Sequence, residues 1–266
     1  QQVHVIVDLE GYYCGFTEIQ VTDGDGSSVE LQWAESLFEM RDGERSQSKG
    51  NRGEVAGKLW HGFGHKLVNG GGGEGLSFRS LWWTSGRFHR ISVNTADQPV
   101  TIHRAGLVET RFPYDDDSHW YDDRGEYARI LPVALRGIQM CSHETYLDCP
   151  YYEQMMYVGD TRVQMLVAYV MSLDTRLTRR GIELFDWSRW KTGFIAGRCP
   201  SQPYQLSLTF STIWPYMVHD YMMWRGDREW VTARLTGMRC LIENFLALCN
   251  SDGLLENLPG WSFVDW

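Results

Sequence analysis

The stretch LDCPYYEQMMYVGD, residues 147–160, sets Asp148, Glu153 and Asp160 among Tyr151, Tyr152, Met155, Met156 and Tyr157. Burying carboxylates among apolar side chains is costly unless the charge is paired, neutralised or used. An apolar setting raises a carboxyl pKa, so Glu153 beside Tyr152, Met155 and Met156 is a candidate general acid that holds its proton at neutral pH. Asp148 and Asp160 would then be ionised partners, suited to gripping sugar hydroxyls or to stabilising positive charge at an anomeric carbon. Each has a plainer reading. Asp160 can cap a helix starting at Thr161, and Glu153 can be a solvated loop residue. Cys141, His143 and Cys149 lie close by, but their spacing fits no standard zinc pattern.

Pro150 and Gly159 both disfavour continuous helix, so the acids belong to a loop between two helices. The helices are read from apolar residues at three- and four-residue spacing in 130–141, 163–171, 177–190, 210–224 and 230–248. Short breaks at Asp174, Asp227 and Gly253 part them, Asp as a starter and Gly as a terminator, which makes tight helical hairpins. The tripeptide Arg225-Gly226-Asp227 fits such a break without any adhesive role. Hairpins set in a ring form an (α/α) barrel, whose end loops line a pocket. A six-hairpin barrel needs about twelve helices, and these five make only its first part.

Upstream of residue 113 the pattern is β. Residues 3–9, 17–22, 28–34, 88–94 and 100–110 alternate or are rich in β-branched side chains, with turn signals at DGDG (23–26), TSGR (84–87) and ADQP (96–99). The fold class expected is an antiparallel β-sandwich over residues 1–113 followed by a partial (α/α)6 barrel over 114–266. NGGGGEG (69–75) has no Gly-Lys-Ser/Thr after it and reads as a loop, and DGDG lacks the further acids of a calcium loop. The connector FPYDDDSHWYDDRGEY (112–127) carries five aspartates, which fit a solvated linker with its last acids at a helix N-terminus.

The composition is that of a globular chain: 266 residues, 43% hydrophobic and 22% charged, with 12 Trp and 13 Tyr. A net charge of −9 without a basic stripe argues against nucleic acid as a partner. No apolar run approaches the roughly 18 residues of a membrane span. The six cysteines include no C-x-x-C pair and signal neither a disulfide framework nor a zinc module. The start, QQVHVIVDLEGYY, has neither an initiator Met nor a basic leader and reads like a strand entered midway, as in an excised piece.

CSHETYLDCPYYEQMMYVGDTR (141–162) resembles the signature of the bacterial α-L-rhamnosidases, glycoside hydrolase family 78, in which Asp-Cys-Pro leads to a Glu and then a Gly-Asp pair. Residues 7–37 and 78–93 resemble the β-sandwich before the catalytic barrel of that family, and GWSFVDW (260–266) resembles a barrel segment with an Asp-Trp pair near the sugar. The resemblance implies an inverting hydrolase of terminal α-L-rhamnose, with Glu153 as general acid and Asp148 and Asp160 contacting rhamnose. Tyr157 stands where many members have a pocket aromatic, usually Trp. Asp265 and Trp266 are implied as sugar contacts, with Phe210 and Trp214 as further candidates. The partner expected is a rhamnose-containing carbohydrate, with no metal, cofactor, nucleic acid or membrane. The family's general base is a Glu in a later part of the barrel that no position here matches, so it is expected beyond Trp266. A non-catalytic carbohydrate-binding protein is the alternative. Natural glycoside, oligomeric state and compartment stay open.

Overall fold

The computed structural model describes residues 1–70, 75–115 and 117–265, so most of the glycine-rich stretch, Asp116 of the connector and Trp266 lie outside the described residues. The chain divides into two compact units, Gln1–Arg111 and Phe112–Trp266.

The first unit contains strands β1 (Gln2–Asp23), β2 (Ser28–Ala34), β3 (Met40–Arg41), β4 (Glu44–Arg45), β5 (Phe63–Val68), β6 (Leu76–Arg79), β7 (Thr84–Asn94) and β8 (Val100–Glu109). β3 and β4 pair as a short ribbon, and the other six make one antiparallel sheet in the order β5-β2-β7-β1-β6, with β8 also on β1. The antiparallel sandwich thus takes the form of a single curled sheet. β1 is long enough to pair β7 along its first part, while its residues Glu18–Val21 pair β6 and β8 at once. Period-two alternation places Val29, Leu31 and Trp33 of β2 on the buried face. There Val29 and Leu31 meet Ile19, Val21 and Ile91. The indole of Trp33 donates to Thr17 Oγ1 at 2.7 Å inside the unit.

Two local signals resolve differently from their sequence reading. The runs 3–9 and 17–22 are one strand, kept continuous by a bulge between Asp8 and Tyr13 where Glu10 takes φ +59°. TSGR is no turn but the start of β7, opposite Tyr13 to Gly15. Gly86 is required there because a Cβ at its φ of +151° would stand 2.6 Å from the carbonyl oxygen of Ala34.

The second unit contains helices α1 (Tyr127–Met140), α2 (Val158–Met171), α3 (Arg176–Trp187), α4 (Leu208–Ser211), α5 (Trp214–Arg225), α6 (Arg228–Thr232) and α7 (Leu235–Leu246). The region read as one helix over 210–224 breaks at Thr212–Ile213, because Pro215 opens α5 and can neither continue the previous ladder nor donate to it. The run over 230–248 likewise divides into α6 and α7. Side chains from α2, α3, α5 and α7 share one core, centred on Met165, Ile182, Phe185, Trp214, Tyr221 and Leu241.

The starts and stops follow capping chemistry. Asp122 accepts from the amides of Arg124, Glu126 and Tyr127 at the entrance to α1. Gly226 ends α5 at φ +66°, and Asp227 accepts from the Trp230 amide at 3.2 Å to open α6, which accounts for Arg225-Gly226-Asp227. Among the described residues no helix is long and apolar enough to cross a membrane, and no group of three or more His, Cys, Asp or Glu is placed to hold a metal ion.

Candidate active site

The acid-bearing loop is closed by its own hydrogen bonds. The Asp148 amide donates to the Met155 carbonyl at 2.8 Å, and the Met155 amide returns to Asp148 Oδ1 at 3.0 Å. The Gln154 amide donates to Cys149 O at 3.1 Å and its side chain to Pro150 O at 3.0 Å, with Gln154 itself at φ +51°. Asp148 is therefore fixed at the loop's base. Glu153 stands exposed at its tip, where Oε2 accepts from the Tyr157 hydroxyl at 2.7 Å. Glu153 is thus not buried among Tyr152, Met155 and Met156 as the sequence suggests. Met156 takes the buried position instead, at 1% exposure.

Tyr157 is the N-cap of α2, in extended backbone conformation. Asp160 lies in the first turn of α2, where the N-terminal dipole favours a carboxylate. The reading of Asp160 as the cap of a helix from Thr161 is corrected: the helix begins at Val158 and takes in Gly159. Gly159 is tolerated because its bare Cα faces an aromatic ring; a Cβ there would meet Phe210 Cζ at 3.2 Å.

A later segment faces this loop across a cavity and is held by residues 206–209. The Trp261 amide donates to Leu206 O at 2.9 Å, and Thr209 Oγ1 donates to the carbonyl of Phe263. Trp261 and Phe263 stack with ring centroids 4.2 Å apart, and Phe263 leans on Phe210 at 5.7 Å. The result is a cavity of about 280 Å³ whose polar side is Asp148, Glu153, Tyr157, Asp160 and Asp265, and whose apolar side is Phe210, Trp261 and Phe263.

Burial pushes the Asp148 carboxyl above the ordinary carboxylate value, with the nearby Glu153 charge adding to it and the amides of Met155 and Cys149 opposing it. Asp160 is raised the same way, first by burial and then by the charges of Asp148, Asp265 and Glu153, against a hydrogen bond from its own amide. The two aspartates read from the sequence as ionised partners are thus the ones whose proton affinity the fold increases. The Tyr157 hydroxyl is raised by burial and by Glu153, and lowered by Arg198.

Residues 123–266 match the family model of the bacterial alpha-L-rhamnosidase 6 hairpin glycosidase domain. The chain belongs to this family. Solved structures agree on the fold. The GH78 rhamnosidase of Bacillus sp. GL1 superposes with a TM-score of 0.80 at 20% identity, over 100% of this chain and 26% of that one. The Klebsiella oxytoca rhamnosidase with rhamnose bound gives 0.73 at 18% identity, over 99% and 52%. The α-L-rhamnosidase of Dictyoglumus thermophilum gives 0.67 at 16% identity, over 92% and 27%. The rhamnosidase-family chain thus spans between about a quarter and a half of these solved chains. No curated protein matches it.

Within the rhamnosidase-family chain, the fold sorts the remaining candidates. Phe210 lines the cavity, whereas Trp214 is 0% exposed and donates its indole N–H to Ile182 O at 3.0 Å, which makes it core. Trp266 lies outside the described residues. Sequence reading did not single out Arg198, which donates from Nη1 to the Tyr157 hydroxyl at 3.1 Å. Trp261 and Phe263 were visible only as parts of the GWSFVDW motif. A larger groove of about 580 Å³ runs along α5 and α7 between Tyr216, Met238, Leu241, Ile242 and Phe245. Its lining includes His219 but no carboxylate, so it lacks the paired carboxyl groups that glycoside cleavage uses.

Proposed function

We propose that this chain carries the acid side of an α-L-rhamnosidase active site that removes terminal α-L-rhamnose from glycosides or polysaccharides with inversion. The observation behind the reading is the cavity that gathers Asp148, Glu153 and Asp160 from the family-like motif and faces them with three aromatic rings. The K. oxytoca structure of the same fold has rhamnose bound. Rhamnose is a 6-deoxy sugar, and a methyl group in place of a hydroxyl suits a wall made of Phe210, Trp261 and Phe263.

Glu153 gives its proton to the glycosidic oxygen as the bond from that oxygen to the anomeric carbon breaks, and the bonding electron pair leaves with the oxygen. A water, deprotonated by a second carboxylate, attacks the anomeric carbon from the opposite face. The family resemblance puts that base in a later part of the barrel. The exposed tip position of Glu153 lets it reach a leaving group that projects out of the cavity. Asp148 and Asp160, deeper and half-buried, accept from sugar hydroxyls and stabilise positive charge at the anomeric carbon. Tyr157 and Asp265 complete the polar side, and Trp266 follows Asp265 in the chain.

Glu153→Gln in the full-length protein keeps the side-chain shape and removes the proton. Hydrolysis of natural rhamnosides is expected to fall on the order of a hundredfold or more. An aryl rhamnoside with a very good leaving group needs less protonation and is expected to lose less. Equal loss on both substrates, or no loss on either, would remove Glu153 from the acid role.

A further inference from the structure

We infer that Arg198 is a positioning residue for Glu153, acting through the hydroxyl of Tyr157. The inference deepens the proposed function and rests on Glu153 being the acid.

A glutamate on an exposed loop tip has several rotamers, and a general acid works only when its proton points at the leaving oxygen. Glu153 is such a residue, and its tether is Tyr157 Oη at 2.7 Å. A phenol has one proton and can either donate toward the carboxylate or turn away. Arg198 decides which. A guanidinium is donor-only, so with Nη1 donating to the Tyr157 oxygen at 3.1 Å, the phenol proton is left for Glu153 Oε2. The relay runs one way, from Arg198 to Tyr157 to Glu153.

The frame behind the relay is backbone. Tyr157 and Arg198 face each other in an antiparallel bridge. On either side, the Val158 amide donates to Gly197 O at 3.0 Å and the Cys199 amide to Met156 O at 3.0 Å. The guanidinium lies 5.8 Å from the centre of the Tyr157 ring, so its contact is with the hydroxyl end. Arg198 Nε is buried without a hydrogen-bond partner among the described residues. A buried, unmatched N–H is a placement that stability by itself disfavours, and it fits a group held for what its Nη1 does.

The test uses the full-length protein with Arg198→Ala, Arg198→Lys, Tyr157→Phe, the double variant Arg198→Ala/Tyr157→Phe, and Glu153→Gln as the reference. Each is measured on a rhamnoside with a poor alkyl leaving group and on an aryl rhamnoside with a good one. Losing one charge-assisted hydrogen bond in the relay is expected to lower kcat for the poor leaving group about tenfold to a hundredfold. KM should be nearly unchanged and the loss on the aryl substrate smaller. Arg198→Lys keeps the charge and should recover part of the rate, as should free guanidinium ion added to Arg198→Ala. Because both residues act through one relay, the double variant should be no worse than the worse single variant. Equal loss on both substrates, full activity in Arg198→Ala, or additive losses in the double variant each overturn the inference. If Glu153→Gln itself shows no leaving-group dependence, the acid assignment falls and the role of Arg198 falls with it. If Glu153→Gln shows that dependence and Arg198→Ala does not, only the role of Arg198 falls.

Discussion

Replacing Trp214 by Phe in the full-length protein removes an indole N–H and part of a ring from a site that is 0% exposed, without touching the carboxylate cavity. The magnitude follows from what the indole does. Its N–H donates to Ile182 O at 3.0 Å, and Ile182 lies inside α3, where the same carbonyl also serves the helix ladder. The loss is therefore the net worth of one hydrogen bond, about 1 kcal/mol, and not the full penalty of an orphaned carbonyl. Phe leaves a void of a few atoms, which adds about 1 kcal/mol. The sum of about 2 kcal/mol corresponds to about 4–8 °C in the unfolding midpoint of a unit of this size. Thermal unfolding followed by near-UV circular dichroism measures the first quantity, and hydrolysis of an aryl rhamnoside well below the midpoint measures KM. The expected outcome is a lowered midpoint with unchanged KM. A KM raised tenfold at an unchanged midpoint would mean that Trp214 touches sugar and that its assignment to the core is wrong.

Two further outcomes follow from the site. The Asp160 carboxyl is raised in the fold above its ordinary value of 3.8, so the stability it contributes is fully present below that value and is lost as pH rises through the folded value. Asp160→Asn cannot ionise, so its thermal midpoint relative to wild type should rise between pH 4 and pH 7; the same difference at both pH values would contradict a carboxyl raised by burial and neighbouring charge. For the single-displacement reading, early NMR of the product from an α-linked substrate should show β-L-rhamnose, and α-L-rhamnose appearing first would require a retaining mechanism.

What the sequence determined by itself is local. Alternation in β2 fixed Val29, Leu31 and Trp33 as one buried face, because a strand's side chains have no other way to alternate. Gly226 and Asp227 announced a helix end and a helix start, because a left-handed terminator and a side-chain acceptor for a free amide are properties of single residues. Pro150 set Asp148 and Glu153 on a loop, since proline cannot continue a helix, whereas Asp160 lies in the first turn of α2.

Tertiary structure decided the rest. Phe210 and Trp214 are four residues apart and would share one face of a continuous helix. The break before Pro215 sends one to the cavity wall and the other to the core. The apolar neighbours of Glu153 suggested a buried acid, but the self-bonded loop turns Met156 inward and Glu153 outward, and a loop has no periodic face from which that could be read. TSGR carries turn residues, yet Gly86 serves a close approach to Ala34 that exists only when β1, β2 and β7 are assembled. Asp265, Trp261 and Phe263 reach the acids through hydrogen bonds to Leu206 and Thr209, and Arg198 reaches Tyr157 through a backbone bridge. Such contacts join residues tens of positions apart, and side-chain chemistry along the chain does not encode which distant segment will lie across which.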